Sequence, residues 1–124
     1  MTVAPPSEPL GDYTVQRGIE MPMRDGTVLR GILYLPKGDG PFPALVERVA
    51  YPLESRCRAA GAYYAARGYA VIGQNVRGAL TSDGVFRPFR DDGWGAHRDG
   101  YDTIEWIAAQ PWCDGHVGML DGSY

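Results

Sequence analysis

The chain has 124 residues, enough for one small domain, and its 12 Lys and Arg against 15 Asp and Glu give a formal net charge of −3 at pH 7. Because no basic cluster forms a stripe, the charge pattern argues against nucleic acid as a partner. No apolar stretch is long enough to span a bilayer, and the opening MTVAPPSEPLG lacks the basic start and apolar run of a signal peptide.

The first predicted element is a hairpin that follows a loose, Pro-rich leader over residues 1–14. Its two extended runs, YTVQRGIEMPM and TVLRGILYLP, flank the turn from Arg24 to Gly26. An Asp-Gly pair between apolar runs is a strong hairpin signal. The apolar run from Ala44 to Ala50 then predicts a buried strand.

Helices and strands alternate in the rest of the chain. SRCRAAGAYYAARG has helical spacing and closes with Gly68, and YAVIGQNV predicts another buried strand. Residues 77–98 are predicted to be a long polar loop, and the charges of FRDDGWGAHRDGYD, residues 89–102, are predicted to form a solvated face. DGYDTIEWIAAQ predicts a helix that Pro111 ends, and HVGML predicts the last strand.

This order predicts an α/β fold with a mostly parallel, doubly wound sheet that starts with an antiparallel hairpin. Functional groups in such sheets gather at the carboxyl ends of the strands. Three stretches stand at those ends: YPLESR, RGALTSDG and DGSY. These stretches are therefore where we expect the chemistry.

Ser123, in DGSY, is the candidate nucleophile. A serine hydroxyl reacts when it is exposed, deprotonated by a base and faced by donors to the oxyanion. The sharp strand-to-helix turn of α/β-hydrolases exposes the serine and supplies one backbone donor. Taken alone, a serine after a strand is more often a turn residue or a helix N-cap.

Four segments, in order and in spacing, resemble the CocE/NonD family of α/β-hydrolases, which includes cocaine esterase, α-amino-acid ester hydrolases and X-Pro dipeptidyl peptidases. They are MRDGTVLRGILYLP, RVAYP, RGYAVIGQNVRG with SDGVF, and DGYDTIEWIAAQPWCDGHVGMLDGSY. The resemblance covers residues 15–124. It implies the N-terminal portion of the catalytic domain, truncated after the nucleophile strand, with the remainder and a C-terminal jelly-roll domain absent.

The same resemblance implies a serine hydrolase of esters or amides that works through an acyl-enzyme. Ser123 matches the nucleophile, and Tyr124 matches the residue whose backbone N–H binds the oxyanion. Tyr51, in RVAYP, matches the tyrosine whose hydroxyl is the second oxyanion donor. The alternative for Tyr51 is that it only packs beside Pro52.

Arg77, in RGALTSDG, is expected to tie its loop to backbone carbonyls, to Asp99 or to Asp102, a structural contribution in preference to a substrate contact. The glycines of this loop are not a phosphate-binding motif, since no Lys-Ser/Thr pair follows them.

Two positions depart from the family pattern. Asp121 stands two residues before Ser123, where the family has glycine, and Leu80 stands where the second loop glycine usually lies. We expect crowding by Asp121 to outweigh the effect of its charge, so that glycine there would keep or raise activity.

A base and its carboxylate follow the nucleophile in this fold, and nothing follows Tyr124. His116 is predicted at the far end of the last strand, and His97 as a solvated loop residue. We therefore expect the 124-residue chain to be inactive alone, and to be poorly soluble because one strand edge is unpaired.

The remaining expectations concern partners. They are a small-molecule ester or amide substrate, no cofactor, no metal, no nucleic acid and no membrane. The two cysteines, Cys57 and Cys113, lack metal-ligand spacing and predict reduced thiols in a cytoplasmic protein. A non-catalytic α/β binding module and a pseudoenzyme remnant are the rival interpretations. Acyl specificity and oligomeric state are not readable from the residues.

Overall fold

The computed structural model describes residues 4–120. The elements in chain order are β1 (Tyr13–Pro22), β2 (Val28–Pro36), β3 (Phe42–Val49), α1 (Leu53–Ala65), β4 (Ala70–Asn75), α2 (Asp99–Ala108) and β5 (Cys113–Met119). Every predicted element is present. The ends differ by a few residues, most clearly at β5, which begins at Cys113 rather than at residue 116.

The five strands form one mixed sheet in the order β1-β2-β4-β3-β5. β2 is antiparallel to β1 and to β4, whereas β3 is parallel to both of its neighbours, β4 and β5. Parallel neighbours need a crossover connection, and α1 and α2 provide the crossovers from β3 to β4 and from β4 to β5. The predicted hairpin followed by parallel strands is confirmed.

Successive side chains of a strand point to opposite faces of the sheet, so both faces carry apolar side chains. Helix α1 covers one face and α2 covers the other. The buried residues on the α1 face are Ile32, Tyr34, Val49, Cys57, Ala65 and Val71. Those on the α2 face include Leu29, Leu33, Ala44, Val46, Ile72 and Ile107. The doubly wound arrangement is therefore also confirmed.

Helix α1 lies close against the sheet at two glycines. A Cβ atom on Gly61 would come within 2.5 Å of the Tyr34 ring, and one on Gly73 would come within 2.5 Å of the Cys57 sulfur. A larger side chain at either position would push the helix away from the sheet. Both cysteines of the chain are free thiols and are buried.

The hairpin turn forms as the Asp-Gly pair predicts. The Met23 N–H donates to the Thr27 carbonyl across 2.8 Å, and Gly26 has a φ of +85°, a left-handed conformation that glycine adopts without strain. Residues 4–12 contain no helix or strand. None of the helices in the described part of the chain is long and apolar enough to cross a membrane.

Candidate active site

The carboxyl ends of three neighbouring parallel strands, β4, β3 and β5, meet at one edge of the sheet. Strand β5 stays paired up to the last described residue, because the Leu120 N–H donates to the Val46 carbonyl across 2.8 Å. Asp121, Ser123 and Tyr124 lie outside the described residues. The assignments of Ser123 and Tyr124 as nucleophile and oxyanion donor therefore stay predictions.

Tyr51 lies at this edge, two residues after β3 ends. Its backbone carbonyl accepts a hydrogen bond of 2.8 Å from the side-chain amide of Asn75. Its half-buried ring packs on the α1-face core, and the guanidinium carbon of Arg56 lies 5.1 Å from the ring centroid, a cation–π contact. These contacts fit an oxyanion donor and fit simple packing beside Pro52.

Asn75, the last residue of β4, is a site residue that sequence reasoning missed. The side chain is fully buried, and its amide nitrogen also lies 3.3 Å from the Val49 carbonyl. Its amide oxygen accepts hydrogen bonds from the Thr81 hydroxyl at 2.7 Å and from the Thr81 N–H at 3.3 Å. The sequence does show a polar residue at the end of an apolar strand. Because buried polar groups need hydrogen-bond partners, that position could have been predicted to bind neighbouring backbone groups.

Arg77 anchors the start of the loop over residues 77–98. Its Nε and NH2 groups each donate to Asp99 across 2.8 Å, and its NH1 group donates to Asp25 at 2.9 Å. The predicted tie to Asp99 is confirmed, whereas Asp102 pairs with Arg24 instead. The hydrogen bonds that Arg77 donates to Asp99, with those that it donates to Asp25, raise the pKa of Arg77.

His97 was predicted to be a solvated loop residue, but its side chain is only partly exposed and lies between two carboxylates. Its Nδ1 is 2.8 Å from an oxygen of Asp91, and its Nε2 is 3.3 Å from an oxygen of Asp25. Asp91 is 6% exposed and also pairs with Arg87. Although burial raises the pKa of Asp91, the hydrogen bonds from Arg87 and His97 outweigh that effect and lower it.

The prediction of a solvated charged face over residues 89–102 was therefore wrong at Asp91, which is buried, and at His97, which is only partly exposed. The hydrogen bonds of Arg77 also hold the pKa of Asp25 below its usual range. The other histidine, His116, is highly exposed and is the middle residue of β5, just before Val117, which pairs with Ala44 near the start of β3. It therefore lies within the strand rather than at the far end where it was predicted, because β5 begins at Cys113.

Leu80 occupies a backbone conformation that favours glycine, with a φ of +43°. The sequence comparison with the family pattern expected glycine at this position. Nearby, Gly78 has a φ of +73°, and a Cβ atom there would lie 2.0 Å from the Phe86 nitrogen. Leu80 is 60% exposed, so its side chain gains little burial in return for the strained backbone.

A cavity of about 380 Å³ opens beside Asn75 on the α1 face. Its walls include Ile32, Pro52, Leu53, Leu80 and Thr81, and its rim carries the Arg17–Glu54 ion pair. The mostly apolar walls could hold a small organic group. No cluster of three or more His, Cys, Asp and Glu side chains suited to a metal ion occurs within residues 4–120.

Arg48, near the end of β3, is a buried cation that sequence reasoning also missed. Its Nε donates to the Gln74 amide oxygen at 2.7 Å, and its NH1 group pairs with Asp92. Its NH2 group is buried and has no hydrogen-bond partner among the described residues. A buried, unpaired guanidinium N–H is costly, so a further acceptor near this position would be stabilising.

Comparison with known proteins adds a family. Residues 25–124 match the family described as X-Pro dipeptidyl-peptidase (S15 family). Cocaine esterase of Rhodococcus sp. (strain MB1 Bresler) is 40% identical over 119 residues, which are 92% of this chain and 20% of that protein. The chain thus spans about a fifth of the length of the curated relatives it matches.

Solved structures of hydrolases superpose on this chain. An alpha-amino acid ester hydrolase superposes with a TM-score of 0.77 at 26% identity, covering 98% of this chain and 23% of that one. A CocE/NonD family hydrolase from Staphylococcus aureus has a TM-score of 0.72 at 24% identity, covering 86% of this chain and 22% of that one. The latter likeness concerns the fold alone.

Proposed function

The chain belongs to the X-Pro dipeptidyl-peptidase (S15) family, and from that premise we propose that this protein is a serine hydrolase of esters or amides that works through an acyl-enzyme. Its sheet and two helices match the N-terminal part of an α/β-hydrolase fold. The proposal gives Ser123 the nucleophilic attack, and it assigns oxyanion binding to the Tyr51 hydroxyl and to the Tyr124 backbone N–H.

The register of β3 and β5 is the observation that carries this proposal. Val46 pairs with Met119, and β3 and β5 are parallel to each other, so both strands end at the edge where Tyr51 lies. Ser123 follows Leu120 by three residues in sequence, and neighbouring strands are about 4.8 Å apart. This register supports the proposal that Ser123 acts together with Tyr51.

The chemistry follows from these positions. The Ser123 oxygen attacks the substrate carbonyl while a base takes its proton, and the oxyanion accepts hydrogen bonds from Tyr51 and Tyr124. Collapse of this intermediate returns the proton to the departing alcohol or amine and leaves Ser123 acylated. Water, activated by the same base, then releases the acid.

The base is not His97 or His116 in this proposal. Both ring nitrogens of His97 face carboxylate oxygens, and His116 is distant from the carboxyl edge along β5. A chain of these 124 residues alone should therefore show no turnover. A cytoplasmic location belongs to the same proposal, and the free thiols Cys57 and Cys113 are compatible with it.

The test uses the product of the complete gene and p-nitrophenyl acetate. Ser123→Ala should remove essentially all activity, and Tyr51→Phe should lower kcat about 10²-fold, as expected for one oxyanion donor. Tyr63→Phe, on the exposed side of α1, is the matched control and should leave kcat unchanged.

A second measurement looks for the intermediate. Mass spectrometry after rapid acid quench should detect an acyl adduct on the peptide that contains Ser123. Activity that survives Ser123→Ala would overturn the proposal. A parent protein without esterase or amidase activity would instead favour a non-catalytic module or a pseudoenzyme.

A further inference from the structure

We propose that Asn75 is the positioning residue for Tyr51, an inference that rests on the proposed assignment of Tyr51 as an oxyanion donor. The Asn75 amide nitrogen is 2.8 Å from the Tyr51 carbonyl and 3.3 Å from the Val49 carbonyl. It therefore binds the end of β3 and the loop that follows. Asn75 connects this segment to β4, the neighbouring strand.

The orientation of the Asn75 amide is fixed from its other side. Its oxygen accepts hydrogen bonds from the hydroxyl and the backbone N–H of Thr81. An amide oxygen only accepts and an amide nitrogen only donates, so Thr81 forces the NH2 group to face the Val49 and Tyr51 carbonyls. The amide cannot flip without placing oxygen against oxygen on one side and donor against donor on the other.

Thr81 is itself held in place. It follows Leu80, whose left-handed backbone turns the chain, and it precedes Ser82, whose hydroxyl donates to the Asn75 carbonyl across 2.7 Å. The Arg30 N–H donates to the same Ser82 hydroxyl at 2.8 Å. The loop after β4 is thus tied to β2 as well as to Asn75.

Because Asn75 is buried, its hydrogen bond to the Tyr51 carbonyl is costly to lose. The Asn75 side chain has no exposed surface, so water cannot replace a lost hydrogen bond to the Tyr51 carbonyl without a rearrangement. A shift of about 1 Å in a catalytic group can cost about 10²-fold in rate. Loss of the amide donor should therefore move the Tyr51 hydroxyl and lower kcat, although Asn75 touches no substrate.

Asn75→Asp is the sharpest substitution, because it keeps the shape of the side chain and removes the donor. A carboxylate would face the Val49 and Tyr51 carbonyls with like partial charge. With p-nitrophenyl acetate as substrate for the complete protein, kcat should fall about 10-fold or more while KM changes little. Thr81→Val should give a smaller loss, and Thr81→Ser should restore the parent kcat.

A double-mutant cycle separates positioning from general damage. If Asn75 acts through Tyr51, Asn75→Asp should lower kcat much less in a Tyr51→Phe background than in the parent. Thr103→Val is the matched control, because Thr103 is equally buried and bonds Gln74 on the α2 face. Its effect on kcat should be small and equal in both backgrounds. Equal kcat losses for Asn75→Asp in both backgrounds would overturn the proposal.

A spectroscopic measurement tests the connection independently of activity. The protein is labelled with 3-fluorotyrosine, and the ¹⁹F signal of Tyr51 is assigned from its absence in Tyr51→Phe. Asn75→Asp should shift or broaden this signal and leave that of the exposed Tyr101 in place. An unmoved Tyr51 signal contradicts the positioning by Asn75, whereas an inactive parent with a shifted signal contradicts only the proposed hydrolase.

Discussion

The guanidinium of Arg77 binds the carboxylate of Asp99 through two parallel hydrogen bonds, each 2.8 Å long. Arg77 begins the loop after β4 and Asp99 begins α2, so this pair joins the two ends of the loop. Both side chains are buried, at 7% and 1% exposure. Removing one partner of such a pair leaves the other charge uncompensated in the interior.

Asp99→Asn should therefore be strongly destabilising. We expect a loss of about 3 kcal/mol in the free energy of unfolding, the lower end for a broken buried pair, because Arg77 keeps Asp25. Asp102→Asn is the control, and it should cost less than Asp99→Asn, because Asp102 is 13% exposed and its partner Arg24 is 41% exposed. Urea unfolding at pH 7 measures both changes, and equal losses would contradict this account.

The sequence predicted the hairpin, the alternation of strands and helices, and a structural contact of Arg77 for which Asp99 was one of three candidate partners. The strands and helices could be predicted because turn residues and the periodicity of apolar residues are local features of the sequence. The contact of His97 with Asp25 was not predicted, because the hairpin turn that supplies Asp25 is far from His97 in sequence. From the sequence alone, a charged residue is expected to be solvated, because a partner that is distant in sequence cannot be recognised there.

The fold depends on pH through its carboxylates. The hydrogen bonds that Asp25 accepts from Arg77, and those that Asp102 accepts from Arg24, lower the pKa values of the two carboxyls below the ordinary value. A carboxylate with a lowered pKa in the folded state stabilises the fold above its unfolded pKa of about 3.9, and this contribution is lost as pH falls further. The free energy of unfolding should therefore be level from about pH 7 to pH 5 and decrease below about pH 4.

Asp25→Asn tests that dependence. The variant should be less stable than the parent at neutral pH. The difference should shrink in acid, because below its pKa of about 3.9 the Asp25 carboxyl of the unfolded parent takes up a proton, which favours the unfolded state. Urea titrations at pH 7 and at pH 3 measure the two differences. An equal difference at both pH values would show that the Asp25 charge does not stabilise the fold.

Leu80 offers a stabilising substitution. A left-handed conformation costs a residue with a side chain about 1–2 kcal/mol, whereas the added freedom of glycine in the unfolded chain costs about 0.4–1 kcal/mol. Leu80→Gly should therefore raise the free energy of unfolding, by at most about 1.6 kcal/mol. Leu80→Ala keeps the strain and should give no gain. If alanine stabilises as much as glycine, the exposed leucine side chain is the cause and the backbone is not.

Arg48 bears on the departure from the family pattern at Asp121. Val46 pairs with Met119, and in sequence Arg48 follows Val46 by two residues just as Asp121 follows Met119. The Arg48 NH2 group is buried and lacks an acceptor among residues 4–120. Pairing with this guanidinium and crowding of the turn are therefore competing accounts of Asp121.

We expect the pairing to outweigh the crowding, and a double-mutant cycle in the complete protein decides between them. Asp121→Gly should lower the free energy of unfolding by about 1–3 kcal/mol, the cost of leaving a buried donor without a partner. In an Arg48→Met background the same substitution should cost less, with a coupling of about 1 kcal/mol or more. Asp121→Asn keeps the volume and removes the charge, so it should lose stability under pairing and behave like the parent under crowding. Urea unfolding measures the cycle, and a gain in both stability and kcat for Asp121→Gly in the parent would establish crowding instead.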